Sequence, residues 1–342
     1  YGELYTKYNE ITEKVISYTD RNDKNFFYSK INDVLIPCSG ETALDISTST
    51  CVLQDNVIVG GDLNVLRPKV QNGKYLSYLL SNKKRLIIAK YAQGDSIVHL
   101  YGEKIKNINI NLPTFAEQEK VSNLLELLNK KIELQQKKIE ALKIYKKGLI
   151  QKYFESKSGK KIKISEILEE VINKTTENNQ YEVISSTKDG LFLQSEYFNR
   201  SIASDNNIGY KILKKNQIVL SPQNLWMGNI NYNNKYEIGM VSPSYKIFNI
   251  NKKFDKDYIS NLLKTNKAIY YYTINSEQGA SIVRRNLNME SFYEINFVIP
   301  DIAEQNKKGK IINEISQKIE KEEKKYQKLD KLKKGLLQKM FI

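Results

Sequence analysis

Residues 112–154 read LPTFAEQEKVSNLLELLNKKIELQQKKIEALKIYKKGLIQKYF, and residues 299–341 read IPDIAEQNKKGKIINEISQKIEKEEKKYQKLDKLKKGLLQKMF. The two stretches align without a gap at a constant offset of 187, with 18 of 43 positions identical. Each copy opens Pro-x-x-Ala-Glu-Gln (Pro113, Ala116, Glu117, Gln118; Pro300, Ala303, Glu304, Gln305) and closes Lys-Lys-Gly-Leu-x-Gln-Lys-x-Phe. Chance does not produce that agreement, so the chain is a tandem duplication.

Both copies begin as helices should. Thr114 and Asp301 occupy N-cap positions, and Glu117 and Glu304 follow three residues later to complete a capping box. Downstream, positions spaced alternately four and three apart read Val121, Leu125, Leu128, Ile132, Gln135, Ile139, Leu142, Lys146, Leu149. In the second copy they read Lys308, Ile312, Ile315, Ile319, Glu322, Tyr326, Leu329, Lys333, Leu336. This is a heptad seam, interrupted at matching places by Gln135 with Glu322 and by Lys146 with Lys333; polar seam residues set register more often than they add stability. About 38 residues at ~1.5 Å each give a rod of roughly 57 Å, longer than a core helix. The stripes are narrow and flanked by lysine, which suits a partner helix. The helices are therefore expected to pair with each other. Two rivals stand beside that reading: unrelated amphipathic helices on separate domains, and pairing of each helix with another chain.

The segments before the helices agree only in patches. Asn32-Asp33-Val34-Leu35 matches Asn216-Gln217-Ile218-Val219, and Gln93-Gly94-Asp95-Ser96-Ile97-Val98 matches Gln278-Gly279-Ala280-Ser281-Ile282-Val283. Short β-branched and aromatic runs (Asn56 to Val59, Gln217 to Leu220, Tyr245 to Ile250) read as strands, and Tyr75 to Tyr91 and Asp257 to Tyr272 as helices. The expected organisation is a mixed α/β domain over 1–111, a helix over 112–155, a second mixed domain over 156–298 and a second helix over 299–342. Mapping the second domain onto the first places the start of the first before Tyr1, and predicts a missing N-terminal strand.

Apolar residues make up 40% and charged residues 27% of the 342, which excludes general disorder. No apolar run approaches the ~20 residues of a membrane helix, and Tyr1 to Glu10 carry no secretory pattern, so the cytoplasm is the expected location. Two cysteines and one histidine are too few for a disulfide framework or a multi-histidine metal centre. The net charge is +15, of which the two repeated helices hold +9. Nucleic acid is the leading partner for such a chain, although abundant Lys, Asn, Ile and Tyr also fit an AT-rich genome. A lysine-rich helix can equally be a solvated face or lie beside DNA backbone.

Catalytic motifs are missing. There is no Gly-x-x-x-x-Gly-Lys-Ser/Thr loop, no Gly-x-Gly-x-x-Gly loop, no Asn-Pro-Pro-aromatic motif, and one histidine excludes His-Glu-x-x-His. Scattered acids form no distinct nuclease cluster. His99 reads as an ordinary polar residue with DNA contact left open, Trp226 as half core or a ring pressed on a base or sugar, and Tyr270-Tyr271-Tyr272 as packing.

Two variable modules, each followed by a near-identical helix opening Pro-x-x-x-Glu-Gln and closing Lys-Lys-Gly-Leu-x-Gln-Lys-x-Phe, resemble the specificity subunit of type I restriction-modification systems. The resemblance covers the whole chain. It implies an α+β fold: two mixed α/β target recognition domains, each reading half of a bipartite double-stranded DNA site, separated by two long helices in an antiparallel coiled coil with a pseudo-two-fold axis. It also implies a non-catalytic chain without its own cofactor. S-adenosylmethionine and ATP with Mg would belong to its partners, two modification subunits and the restriction or translocase subunits. Matching the family's DNA-facing loops gives three per module. In the first they are Ser39, Gly40, Glu41, Thr42, then Gly60, Gly61, Asp62, Asn64, then Gln93, Gly94, Ser96, His99. In the second they are Gln223, Asn224, Trp226, Gly228, then Ser242, Ser244, Tyr245, then Gln278, Gly279, Ser281, Arg284, Arg285. Asn and Gln suit adenine edges, and Arg284 or Arg285 suits guanine or a phosphate. The rival from another class is a coiled-coil adaptor whose modules bind proteins. A fused enzyme would need motifs this chain lacks.

Overall fold

The run Val34-Leu35-Ile36-Pro37 lacks the alternation of a strand with one wet face, and all four residues are buried. In the computed structural model, which describes residues 1–21, 23, 25–155, 158–197, 206–278 and 285–341, this run is an inner strand of a four-stranded sheet. In spatial order the sheet is β1 (Ile11–Thr12), β4 (Thr50–Val52), β2 (Val34–Pro37), β5 (Leu63–Leu66). β1 is parallel to β4 and the other neighbours are antiparallel. Between β2 and β4 in the chain lies β3 (Ser39–Gly40), which pairs with β6 (Val98–His99). Leu76 and Leu80 of helix α1 (Gly73–Ser81) pack with Val34 and Ile36. Leu35 packs instead with Leu4, Val52 and Val59. Covering on both sides is why the strand is apolar throughout.

The pattern over Tyr75 to Tyr91 predicts one helix, but the structure has two, α1 and α2 (Arg85–Tyr91). Asn82 ends α1 by turning its side-chain amide onto the Tyr78 carbonyl at 2.9 Å, a local bond that competes with helix continuation. The long helix α3 (Phe115–Phe154) follows.

The second module repeats the scheme with different strands. Its sheet order is β7 (Leu168–Val171), β10 (Lys246–Ile250), β8 (Gln217–Leu220), β9 (Ile230–Tyr232), all antiparallel. β8 aligns with β2, and each is entered through an asparagine in the left-handed region, Asn216 (φ 66°) and Asn32 (φ 80°); Asn tolerates that conformation better than other non-glycine residues. Here too the expected single helix over Asp257 to Tyr272 divides, into α4 (Lys256–Leu262) and α5 (Asn266–Ile274). Thr265 is the cause, because its hydroxyl caps the Ala268 amide and starts a new helix. The second long helix is α6 (Ile302–Met340).

The chain folds as two units, Tyr1–Lys138 with Glu322–Ile342, and Ile139–Lys321. Each unit holds the beginning of one long helix and the end of the other, antiparallel. In the first, Gln118 donates to the Pro113 carbonyl at 2.9 Å and its Oε1 accepts from the amide of Asn72, the N-cap of α1, at 3.0 Å. In the second, Gln305 donates to the Pro300 carbonyl at 2.8 Å and accepts from the amide of Asp255, the N-cap of α4, at 3.0 Å. The Glu-Gln word of the repeat is thus a joint between helix and module. The closing phenylalanines pack on the same two helices: Phe341 on Tyr75 with centroids 5.1 Å apart, Phe154 on Tyr258 at 4.8 Å. A phenylalanine as buried as Phe341 contributes ~3–5 kcal/mol.

All eighteen seam positions are buried or half-buried, and in the first unit the two polar ones at the middle of the helices meet. Gln135 Nε2 donates to Glu322 Oε2 at 2.7 Å and to the Glu322 carbonyl at 3.0 Å. Lys138 and Lys325 donate to Oε1 at 3.0 and 3.1 Å. These donors hold the Glu322 carboxyl down to about 2, from an ordinary 4.5. Its depressed value means that the ionised form favours the folded state. This contribution is whole above about pH 5 and is lost as pH falls from there toward 2. Thermal unfolding of the wild type should therefore weaken over that window more than that of Glu322→Gln. Parallel melting-temperature profiles for the two would refute the role given to the carboxylate.

Candidate nucleic-acid interface

The three sequence-predicted loops of the first module come together. Ser39 pairs with His99 and Gly40 with Val98 across β3 and β6. Gln93 and His99 exchange backbone hydrogen bonds of 2.9 and 2.7 Å. The Cys38 amide donates to the Asp62 carbonyl at 2.9 Å, and the Ser39 hydroxyl donates to the Asp62 carboxylate. Residues 39–42, 60–64 and 93–99 are consequently one patch. Glu41, Thr42, Gly60, Gly61, Asp62, Gln93, Gly94 and Ser96 are exposed in it, whereas Asn64 and His99 are half-buried. Ser39 and Gly40 are buried, so they support the patch. Asn64 is partly committed, its amide donating to the Leu100 carbonyl at 3.0 Å, and Thr42 donates to Asp45 at 2.6 Å.

In the second module the first loop follows β8. Gln223 is exposed, Asn224 and Trp226 are half-buried, and Gly228 is buried with φ 84°. The third loop is framed by β11 (Ser276–Gln278) and β12 (Arg285–Leu287), with Gln278 opposite Arg285. Gly279, Ser281 and Arg284 lie outside the described residues. The Arg285 amide donates to the Gln223 carbonyl at 3.2 Å, which ties the third loop to the first. Ser242 and Ser244 place their hydroxyls 3.1 Å apart, and Tyr245 donates its hydroxyl to the Ser186 carbonyl at 3.1 Å.

Sequence reasoning missed the asparagines beneath these loops. Asn229, Asn231 and Asn233 are all buried. The Ser186 hydroxyl donates to Asn229 Oδ1 at 2.8 Å and accepts from Asn231 Nδ2 at 2.8 Å. Asn231 Oδ1 accepts from the Lys264 ammonium at 2.6 Å. The signal was available as asparagine at period two across β9, where one face of the strand would be expected to be apolar.

Charge differs between the modules. Lys333 of the seam reaches Glu10 at 3.5 Å. Its counterpart Lys146 faces Lys264 in the second unit. Desolvation lowers both ammonium groups, and their mutual repulsion lowers Lys264 further. A pair of partly desolvated lysines is the environment an anion would relieve. The thiols are resting, since burial pushes Cys51 up to about 12 and Cys38 upward. Among the described residues no group of three or more His, Cys, Asp or Glu side chains is placed to hold a metal ion, and no helix is long and apolar enough to cross a membrane.

Residues 3–144 match the family described as the type I restriction modification DNA specificity domain. The curated type I restriction enzyme MjaVIII specificity subunit of Methanocaldococcus jannaschii is 30% identical over 189 residues, 54% of this chain and 40% of that protein. These likenesses are to a type I restriction enzyme specificity subunit and to the DNA specificity domain of such systems, the latter over less than half of this chain. The chain's match spans less than half the length of this curated relative. The crystal structure of a type I restriction-modification S subunit from M. genitalium has a similar fold, with TM-score 0.62 at 18% identity, covering 98% of this chain and 88% of that one. A structure describing complex assembly and conformational transition of a type I system aligns with TM-score 0.52 at 12% identity, covering 92% and 82%. The fold of this chain is thus similar to that of these structures: mixed α/β modules with antiparallel long helices.

Two glycines of the first patch separate backbone necessity from open space. Gly94 has φ 125°, and a Cβ there would lie 2.1 Å from the Ile97 carbonyl oxygen; at Gly60 nothing lies within 4 Å. Gly94→Ala should destabilise the first unit by about 1–3 kcal/mol, and Gly60→Ala should stay within about 0.5 kcal/mol of wild type. Denaturant unfolding of both variants checks this, and equal stabilities would contradict the geometry.

Proposed function

We propose that this chain is the DNA-reading specificity subunit of a type I restriction-modification complex. In this reading, residues 1–111 and 156–298 are target recognition domains, and 112–155 and 299–342 are spacer helices. The observation that carries it is the locking of three separated loops into one exposed patch of glycines and short polar side chains, Thr42, Gln93 and Ser96 among them with Glu41 and Asp62, in the first module of a strongly basic chain. Phosphate contacts set orientation and short polar side chains read base edges, a division of labour matched by lysine-rich helices beside polar loops. The predicted contact residues in both modules are proposed as this surface.

The two modules share a frame and the Gln-Gly-x-Ser word of the third loop but differ at their other loop residues, so the two half-sites differ in sequence. Methyl transfer and cleavage belong to partners, two modification subunits and the restriction or translocase subunits, which bring S-adenosylmethionine and ATP with Mg. The chain itself reads and recruits without catalysing, in the cytoplasm. A coiled-coil adaptor binding proteins is the rival, and salt-dependent binding to duplexes carrying a split consensus separates the two. Absence of any preferred duplex in a random-library selection with the assembled complex rejects the DNA reading.

On this reading the helices act as a ruler. Removing the facing heptads beside the Gln135–Glu322 node, residues 136–142 and 315–321, keeps the seam in phase, retains Gln135 and Glu322, and takes away ~10 Å. The preferred spacer should shorten by about three base pairs, at ~3.4 Å each. Mapping of methylated sites in cells carrying the shortened chain reads this directly, and an unchanged spacer rejects the ruler.

A further inference from the structure

In the second module two N–H donors are buried beside one another with no acceptor among the described residues, Trp226 Nε1 and Arg285 Nε. The Arg285 guanidinium lies over the Trp226 ring, 5.8 Å from its centroid. Burying a donor without a partner costs about 1–3 kcal/mol, so two in one place call for an explanation. Two other described arginines differ. Arg67 is paired with Asp33 at 2.7 Å, and Arg85 donates to the Leu44 carbonyl at 2.9 Å. No described acceptor takes a hydrogen bond from the Arg285 side chain, although the backbone around it is fixed through the Gln223 carbonyl and the strand pair with Gln278.

Resting on the DNA reading above, we infer that Arg285, set against the Trp226 ring, is the guanine-reading residue of the second module. The Trp226–Arg285 pair offers donors only. In the major groove guanine presents two acceptors, O6 and N7, whereas adenine and cytosine each present an amino donor that nothing in this pair could accept. A phosphate could also take a guanidinium, but a mobile exposed lysine serves that purpose, and this chain has many. A cation–π contact with an indole, together with the backbone bond to Gln223, instead restricts where the fork lies, which is what bidentate recognition of a planar base edge requires. Trp226 is the positioning residue, acting through Arg285.

The test is selection from a random duplex library by the full chain assembled with its methyltransferase partner, comparing wild type with Arg285→Ala, Trp226→Ala and Trp226→Phe. The wild type should yield a split consensus, and its absence would remove the DNA reading itself. With a consensus in hand, Arg285→Ala should lose discrimination at one G·C pair of one half-site by roughly ten- to a hundredfold, with the other half-site unchanged. Trp226→Ala should lose discrimination at the same pair, and Trp226→Phe, which restores a stacking face, should recover most of it. An unaltered consensus in Arg285→Ala overturns the proposal. So does a uniform loss of affinity across sequences with a salt slope lower by about one, the mark of a phosphate contact, or loss of both half-sites together.

Discussion

A carboxylate covered by neighbouring side chains on a largely apolar seam has few acceptable arrangements, and Glu322 fixes one. Its oxygens are satisfied only where Gln135 and Lys138 of the opposing helix lie alongside and Lys325 folds back from its own turn. Sliding either helix by a turn would leave the charge facing Ile132, Ile139 or their flanks, with desolvation uncompensated. Aliphatic contacts such as Ile139 and Ile319 tolerate such a slip far better. The apolar seam therefore supplies attraction, and the polar node selects the register. Everything joined to the helix starts and ends inherits that choice.

Duplication has left the frame nearly intact while changing the chemistry laid on it. Lys74 of α1 meets Glu126 of α3 at 2.6 Å in the first unit. At the corresponding place in the second, Asp257 accepts from Asn313 at 3.2 Å, and burial raises its carboxyl. Lys333 finds a carboxylate in Glu10, while Lys146 finds another lysine. Buried positions such as Val34 and Ile218 remain aliphatic because close packing penalises change of volume. Polar sites at the edge of each module were free to diverge.

The helices were largely legible in the sequence because their determinants are local. Caps at Thr114 and Asp301, the heptad spacing and the matched interruptions all act within a turn or two. The breaks at Asn82 and Thr265 were also local, yet apolar periodicity outweighed a single polar residue in the reading. Convergence of the first module's loops was anticipated from the family resemblance and not from spacing, since Ser39 and Asp62 meet only through tertiary structure. The buried asparagine row under the second module, and the packing of Phe341 on Tyr75 rather than on a nearer residue, depend on which module each helix end reaches. No window of sequence contains both partners. The retained burial of Ser39 and Gly40 likewise follows from the pairing of β3 with β6, which residue type alone does not disclose.

The joint made by Gln118 and Gln305 has a further consequence. In both copies the glutamine oxygen binds a main-chain amide, that of residue 72 or 255, while the side chain at that place is Asn in one copy and Asp in the other. A fastening addressed to the peptide group is indifferent to what the module carries. Whole modules can drift in sequence without the coupling to the scaffold having to be reinvented each time.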